Sequence, residues 1–206
     1  MTARLDVLCA GYAADRVAST VVLIRDEGAV IVVDPGMVAD RRRILDPMGQ
    51  LGVDPARVSD VVFSHHHPDH TLNAALFERA RFHDFWAIYA GDVWTERPAD
   101  GFKLSPSVTL ITTPGHTAQD VTTLVATDDG LAACTHMWWS REGPAEDPLA
   151  EDRSCSSAHG PSSSRWRWRS SCRATAHRSR RPSFELPDRR LGRCGADMSK
   201  RRAEGG

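Results

Sequence analysis

The chain has 206 residues, 41% of them hydrophobic, which lies within the globular range and suits one domain with a substantial core. No run of about 18 apolar residues occurs, and the first residues lack the basic and apolar segments of a signal peptide, so the sequence predicts a cytoplasmic protein with no membrane partner. The net charge of -1 conceals a division, because residues 1–152 carry 12 basic and 23 acidic side chains (net -11), whereas residues 153–206 carry 14 and 4 (net +10).

Three elements are predicted in the first third of the chain. Residues 19–35 form two β-branched apolar runs around a glycine turn, which predicts a hairpin whose second strand delivers Asp34 to a Pro-Gly turn. Residues 40–51 have apolar side chains at helical spacing, and Gly52 follows as a C-cap. Residues 58–63 predict a short strand that runs directly into a histidine-rich loop, after which apolar spacing predicts another helix.

Further strands are predicted in the second half, at residues 85–90, 108–112, 121–126 and 131–134. Nothing in the sequence repeats at a fixed period, so a solenoid or a propeller is unsupported. The five cysteines have no paired spacing of the kind that a disulfide framework or a structural zinc site requires. The predicted body is therefore a strand-rich α/β domain.

The chemistry of this sequence is concentrated in the loop after the third predicted strand, which contains the pattern His65-x-His67-x-Asp69-His70. Histidines two residues apart on an extended loop can point the same way and bind one metal ion, while Asp69 and His70 turn towards an adjacent position. The alternative is a solvated polyhistidine stretch. Four potential ligands at this spacing, directly after an apolar strand, favour a metal site with His66 pointing away.

This pattern resembles the signature of the metallo-β-lactamase superfamily, and the turn that ends at His116 resembles the second landmark of that family. The resemblance extends over about residues 5–150. It implies a four-layer αβ/βα sandwich with a zinc site at one edge, where His65, His67 and His116 bind a first ion and Asp69 and His70 bind a second. It also implies that Asp34 orients a ligand histidine. One or two zinc ions are expected, although imidazole and carboxylate ligands also suit iron or manganese.

The sequence departs from the family pattern at the next hairpin. The family places a bridging aspartate there, and His136 occupies that location. A histidine can ligate a metal but cannot bridge two ions as a carboxylate does, so an altered second site is expected. Ligation by His136 and a purely structural role are both open.

The segment from residue 153 onward has a different character from the rest of the chain. It is rich in Arg and Ser and lacks apolar periodicity, which taken literally is typical of disorder. With G or C assumed at most third codon positions, however, translation from the third base of each codon turns residues 161–176 into an apolar run followed by Val-Val-Pro-Gly-His-Gly, which resembles the family's last landmark. We therefore interpret residues 1–152 as a metallo-β-lactamase-like domain and residues 153–206 as a tail altered by a frameshift. The alternative is a genuine arm that binds nucleic acid.

The resemblance implies a metal-dependent hydrolase in which a metal-activated water attacks a small ester, thioester, lactone or phosphoester, with Asp69 orienting the water or relaying its proton. Two alternatives stay open. One is a degenerate protein that binds a metal or a partner without catalysis, and the other is a ribonuclease, against which the acidic body argues. The sequence leaves the substrate and the oligomeric state open.

Overall fold

The structure is a computed structural model that describes residues 2–137, 147 and 149–151. The predicted tail, residues 153–206, lies outside the described residues. The elements are as follows: β1 Arg4–Cys9, β2 Tyr12–Ala13, β3 Val17–Ala18, β4 Val21–Asp26, β5 Ala29–Val33, α1 Arg42–Gln50, a 3-10 turn Pro55–Arg57, β6 Asp60–Val62, α2 Pro68–Thr71, a 3-10 turn Ala74–Phe77, β7 Arg81–His83, β8 Ala87–Ala90, β9 Val93–Glu96, β10 Lys103–Ser105, β11 Val108–Thr112, β12 Val121–Thr127 and β13 Gly130–Cys134.

Two main sheets organise these strands. The larger sheet has seven strands in the order β1-β4-β5-β6-β7-β8-β9, and the smaller has four in the order β10-β11-β12-β13. In the larger sheet β5, β6 and β7 are parallel, whereas its outer strands are antiparallel. The smaller sheet is antiparallel throughout, so β11 and β13 run in the same direction on either side of β12. The short β2-β3 hairpin forms a third sheet.

Two apolar cores bury the faces of the larger sheet. The first contains Leu23 and Val32 of the sheet together with Ile44 and Met48 of α1. The second contains Ile24 and other residues of the opposite face, packed against the smaller sheet, and no helix of the described residues contributes to it. The described part of the chain therefore shows helices, the large sheet and the small sheet as three successive layers.

Asp26, at the end of β4, links the two sheets by hydrogen bonds. Its buried carboxylate accepts hydrogen bonds from the hydroxyls of Ser105 and Ser107 and from the amide of Ser107. These hydrogen bonds hold the pKa of Asp26 below its usual range although burial acts in the opposite direction. An ionised, fully hydrogen-bonded carboxylate thus fixes the spacing of the sheets that carry the site.

Most predicted elements are present in the structure. The predicted hairpin is β4-β5, the first predicted helix is α1, the strand before the histidine loop is β6, and the four later strands correspond to β8, β11, β12 and β13. The sequence does not predict β1, β2, β3, β7, β9 and β10. All of these except the six-residue β1 are only two to four residues long, too short for a clear pattern. No helix within the described residues is long and apolar enough to cross a membrane.

The helix predicted after the histidine loop differs from the one observed. The structure has the four-residue helix α2 and then a 3-10 turn instead of one continuous helix. The carbonyls of Asp69 and His70, which a continuous helix would use internally, accept hydrogen bonds from the amides of Ser19 and Gly36. Tertiary hydrogen bonding therefore interrupts the helix and ties the histidine loop to the neighbouring turns.

Candidate metal centre

The site forms where four strands end at the same side of the molecule. Because β5 and β6 are parallel and Val33 pairs with Val62, the loops that follow them emerge side by side. The ends of β11 and β13 emerge together on the facing sheet, because those strands also run in one direction. The amide of Val121 donates to the carbonyl of Ser64 at 2.8 Å and links the two sheets at this edge.

Asp34, directly after β5, organises the start of the histidine loop. Its Oδ1 accepts the amide of Ser64 at 2.8 Å, and its Oδ2 lies 2.9 Å from Nδ1 of His70. Asp34 has a φ of 49°, in the left-handed region where aspartate is among the better-tolerated residues. The next turn requires Gly36, whose φ is 75° and whose amide donates to the carbonyl of His70.

Three histidine rings converge in a first group. Nε2 of His65 and Nε2 of His116 each lie 3.0 Å from Nδ1 of His67. These three nitrogens lie within 4.8 Å of one another, as the ligands of a single ion would. His65 and His116 are buried, whereas His67 is exposed, so the group opens to solvent on one side. The structure thus brings together the three residues that the resemblance assigns to a first ion.

The ring of His136 packs against three other histidines of the cluster. Its ring centroid lies 4.3 Å from that of His116, 4.6 Å from that of His65 and 4.7 Å from that of His70. Together with His65 and His70, it forms a second compact group of possible metal ligands. The residue in the family's bridging position therefore faces both groups.

Asp69 lies beside this second group. Its Oδ2 is 3.4 Å from Nε2 of His70, and its side chain is partly exposed. Within the part of the chain that the structure describes, Asp69 belongs to none of the compact ligand groups. The pairing of Asp69 with His70 on one ion, which the resemblance implies, stays a prediction, and the structure also places His65 and His136 beside His70.

The rings of His65 and His136 are electrically neutral. Burial, together with the positive charge of nearby His70, lowers the pKa of His136 to about 3 and that of His65 still further. The pKa of His67 is also lowered, first because the cluster partly desolvates the ring although His67 is exposed on one side, and then by the charge of His116. A neutral imidazole has the lone pair that a metal requires.

His70 differs from its neighbours because it faces carboxylates. Burial lowers its pKa, but the charge and hydrogen bond of Asp34, followed by those of Asp69, outweigh burial and raise the pKa to about 10. The hydrogen bond from His70 in turn holds the pKa of Asp69 below its usual range. A metal ion that binds Nε2 of His70 would therefore have to displace a proton.

His66 points away from the cluster, as the spacing predicts. Its Nε2 lies 3.0 Å from Oδ2 of Asp84, and its ring stacks on Trp86 with centroids 6.0 Å apart. The predicted site residues His65, His67, His70, His116 and His136 lie together around the cluster.

Sequence reasoning missed Asp147 and Asp120. Oδ2 of Asp147 lies 2.6 Å from Nδ1 of His116, and both side chains are buried. Asp120 accepts hydrogen bonds from the amide and the hydroxyl of Thr117 and thereby fixes the turn that carries His116, while burial raises the pKa of Asp120 to about 6. Asp147 stands in an acidic stretch that resembles a solvated loop, so the sequence carries no signal that marks it.

Comparison with known proteins accounts for this arrangement. The profile of the metallo-beta-lactamase superfamily matches residues 14–135, which include four of the five histidines of the cluster, all but His136, and most of both sheets. The chain belongs to the metallo-beta-lactamase superfamily.

Two relatives of this superfamily member carry the same name, metallo-beta-lactamase domain-containing protein 1. The one from Xenopus laevis is 30% identical over 166 residues, which covers 71% of this chain and 68% of the relative. The human one is 33% identical over 138 residues, which covers 60% of this chain and 52% of the relative. The chain thus spans about half the length of the human relative that it matches.

A solved structure shows the same fold. The metallo-beta-lactamase-type protein of Thermotoga maritima has a TM-score of 0.54 and 22% sequence identity, covering 66% of this chain and 78% of the other. The α/β metallo-β-lactamase fold expected from the sequence is therefore confirmed for this superfamily member. Its described residues contribute three layers of that fold.

Proposed function

We propose that this chain is a metal-dependent hydrolase that uses an activated water molecule to cleave a small ester, thioester, lactone or phosphoester. Membership in the superfamily supports metal-dependent hydrolysis as the general class. The observation that carries the proposal is the convergence of Nε2 of His65 and Nε2 of His116 on Nδ1 of His67, each at 3.0 Å.

The donor set of the first group fits a transition metal. Three ring nitrogens that face one another cannot all be satisfied by hydrogen bonds, because a neutral imidazole has one donor and one acceptor. The lowered pKa values of His65 and His67 leave these rings with lone pairs instead of additional protons. A single ion accepts all three lone pairs, and three protein ligands with an open position are typical of catalytic zinc.

We assign His65, His67 and His116 to a first ion, and His70 and His136 to a second position that shares the cluster. When bound, a divalent ion supplies Lewis acidity, which activates water near neutral pH and stabilises negative charge that develops on the substrate. Zinc is the expected ion, and iron or manganese also suits imidazole and carboxylate ligands.

We assign Asp69 to contact with the water molecule that attacks the substrate. Its carboxylate is partly exposed beside the cluster, and the hydrogen bond from His70 keeps its pKa low. A carboxylate with a low pKa accepts hydrogen bonds well but holds a proton poorly at neutral pH. We therefore assign Asp69 the role of orienting the attacking water, in preference to storing its proton.

The substrate class follows from the reaction. Water adds to a carbonyl carbon or to phosphorus, the bond to the leaving oxygen or sulfur breaks, and the leaving group takes up the proton that water gives up. The exposed side of the cluster at His67 is where such a small electrophile would approach.

The test measures metal content and turnover in the same preparations. Purified protein, loaded with zinc, iron or manganese, is assayed against a panel of one ester, one thioester, one lactone and one phosphodiester. We expect one or two ions per folded chain and turnover of at least one class that a chelator abolishes. A folded protein that binds no transition metal would refute the assignment of the site.

A second candidate is a metal-binding protein without hydrolytic activity. The observation that favours it is His136 in the family's bridging position, together with Asp69 lying outside the compact ligand groups of the described residues. Stoichiometric metal without turnover of any panel member would support this candidate. An RNA substrate, added as a further arm, tests the ribonuclease alternative.

A further inference from the structure

Asp147 contacts the ring of His116 on the side that faces away from the metal cluster. Its Oδ2 lies 2.6 Å from Nδ1 of His116, the ring nitrogen on the other side from Nε2, which faces His67. Both side chains are buried, with 7% exposure for Asp147 and 6% for His116. A buried carboxylate paired with one nitrogen of a metal-facing imidazole is the arrangement by which proteins orient such rings.

Residues next to Asp147 in the chain form hydrogen bonds with the turn that carries His116. The amide of Glu151 donates to the carbonyl of His116 at 2.9 Å, and Oε2 of Glu151 accepts the amide of Ala118 at 2.9 Å. The amide of Leu149 donates to Oδ1 of Asp147 at 2.8 Å. One carboxylate oxygen is thus held by the backbone, which leaves the other to face the imidazole.

The protonation of His116 decides whether it can bind a metal. A neutral imidazole has one N–H, and the hydrogen bond to a carboxylate places that proton on the nitrogen facing the carboxylate. With the proton on Nδ1 and donated to Asp147, the lone pair lies on Nε2 and points at the His67 ring. Reversal of this tautomer would direct an N–H at the site of the ion.

We propose that Asp147 is a positioning residue that fixes the tautomer and the ring orientation of His116 for metal binding. This inference rests on the proposed function, because it requires that His116 is a ligand. It assigns a role to a residue that lies beyond residues 14–135, the stretch matched by the superfamily profile. The metal-binding unit therefore includes the segment after β13.

Asp147 also lies within ligand distance of His116 and His136, so direct ligation by its carboxylate is the competing arrangement. The two arrangements differ in what Asp147→Asn does. Because the amide of Leu149 holds Oδ1, an asparagine would place its NH₂ against Nδ1 of His116. That donor forces the His116 proton onto Nε2 and blocks the ligand, although the side chain keeps its shape.

The experiment measures zinc affinity by competition with a chromophoric chelator, with the thermal midpoint of the metal-free protein as a check on folding. We expect Asp147→Asn to weaken zinc binding about 10–100-fold while the thermal midpoint of the metal-free protein stays close to that of the wild type. Asp54→Asn is the matched control, because it makes the same change of carboxylate to amide at an exposed residue whose hydrogen bond stays within the 3-10 turn Pro55–Arg57. It should bind zinc as the wild type does.

A second variant separates positioning from ligation. In a His116→Ala background, Asp147→Asn should cause no additional loss of zinc affinity, because Asp147 acts through His116. An additional loss there would overturn the proposal in favour of direct ligation. Wild-type affinity in Asp147→Asn would also overturn it, since the tautomer would then be irrelevant.

Cobalt(II) provides a readout that does not depend on activity or on folding yield. The visible absorption of the cobalt-loaded protein should change in Asp147→Asn, because one imidazole leaves the coordination sphere, and it should be unchanged in Asp54→Asn. An unchanged cobalt spectrum in Asp147→Asn would contradict the proposal. If the wild type itself binds neither zinc nor cobalt, the proposed function fails first, and that result is distinct from every outcome above.

Discussion

Two regions of the molecule contain buried histidine and differ in what surrounds it: the metal cluster and a second cluster formed by His83, Asp60 and Arg97. In the metal cluster, Nε2 of His65 and Nε2 of His116 each lie 3.0 Å from Nδ1 of His67. In the second cluster, at β6 and β7, Nε2 of His83 lies 2.8 Å from Oδ1 of Asp60 and Nδ1 lies 3.5 Å from the guanidinium of Arg97. His65, His116 and His83 are all buried, so burial alone does not identify a ligand.

The difference lies in the lone pairs. His83 has a carboxylate on one nitrogen and a guanidinium donor on the other, so its donor and its acceptor both have partners. Burial lowers the pKa of His83, so the ring is neutral and needs no further partner. The nitrogens of the metal cluster lack such complements on the side where they converge. A ligand histidine is therefore recognised by a ring nitrogen that lies close to the ring nitrogens of other histidines and has no carboxylate or donor group as its partner there.

The largest expected effect comes from removing a converging nitrogen. His116→Ala should lower zinc affinity by more than about 100-fold, above the loss that is typical of an outer partner, because one of three ligands disappears. His66→Ala is the control, since that ring faces Asp84. Chelator competition measures both variants. Equal losses in the two would break the distinction between converging and outward histidines.

A substitution in the second cluster should lower the stability of the protein without changing its metal binding. We expect His83→Ala to lower the free energy of unfolding by about 3 kcal/mol, because it leaves a cavity and removes a partner of buried Asp60. Denaturant unfolding measures this loss. The folded variant should bind as much zinc as the wild type, and a reduced stoichiometry would contradict the structural role of His83.

Asp34 offers a sharper test of the second ligand group. Because the amide of Ser64 holds Oδ1, Asp34→Asn would present its NH₂ to Nδ1 of His70 and force the proton onto Nε2. Affinity for a second zinc ion should fall about 10–100-fold, while the first ion is retained. Isothermal titration resolves the two events. Loss of both ions together would show that the groups are not separable.

The smallest expected effect is a dependence of stability on pH that the metal removes. The pKa of His70 in the folded protein is about 10, above the ordinary histidine pKa of about 6.5, so its stabilising contribution is complete below pH 6.5 and is lost as the pH rises towards 10. The loss should be at most about 1.4 kcal/mol per pH unit in metal-free protein. Zinc-loaded protein should lack this slope, because the ion replaces the proton on His70. Urea unfolding at several pH values, with and without zinc, measures it.

Much of the site could be predicted because its ligands are local in sequence. The spacing of His65, His67 and His70 after an apolar strand already implies that they share one loop, and a second strand and turn mark His116. The pairing of Asp69 with His70 on one ion stays a prediction. Among the described residues, the compact ligand group around His70 contains His65 and His136 but not Asp69. The role of each of these residues as a ligand also stays a prediction until metal is measured.

The interpretation of residues 153–206 as a frameshifted tail stays a prediction as well, because those residues lie outside the described part of the chain. The nucleotide sequence across codons 150–185 tests it directly. A frame that encodes Val-Pro-Gly-His-Gly without interruption would support the frameshift, whereas a confirmed Arg/Ser reading would support a genuine arm.

The sequence by itself determined the strands that carry strong apolar patterns, the α/β class and the histidine loop, because periodicity and short-range spacing are local properties. Only the tertiary structure decided which nitrogens converge. The pairing of Asp147 with His116 and the division of the helix after His70 depend on contacts between residues 31 positions apart and on carbonyls taken by other turns. Such contacts arise where loops and turns that are distant in sequence meet beside the two packed sheets, and the residues themselves carry no sequence pattern that predicts them.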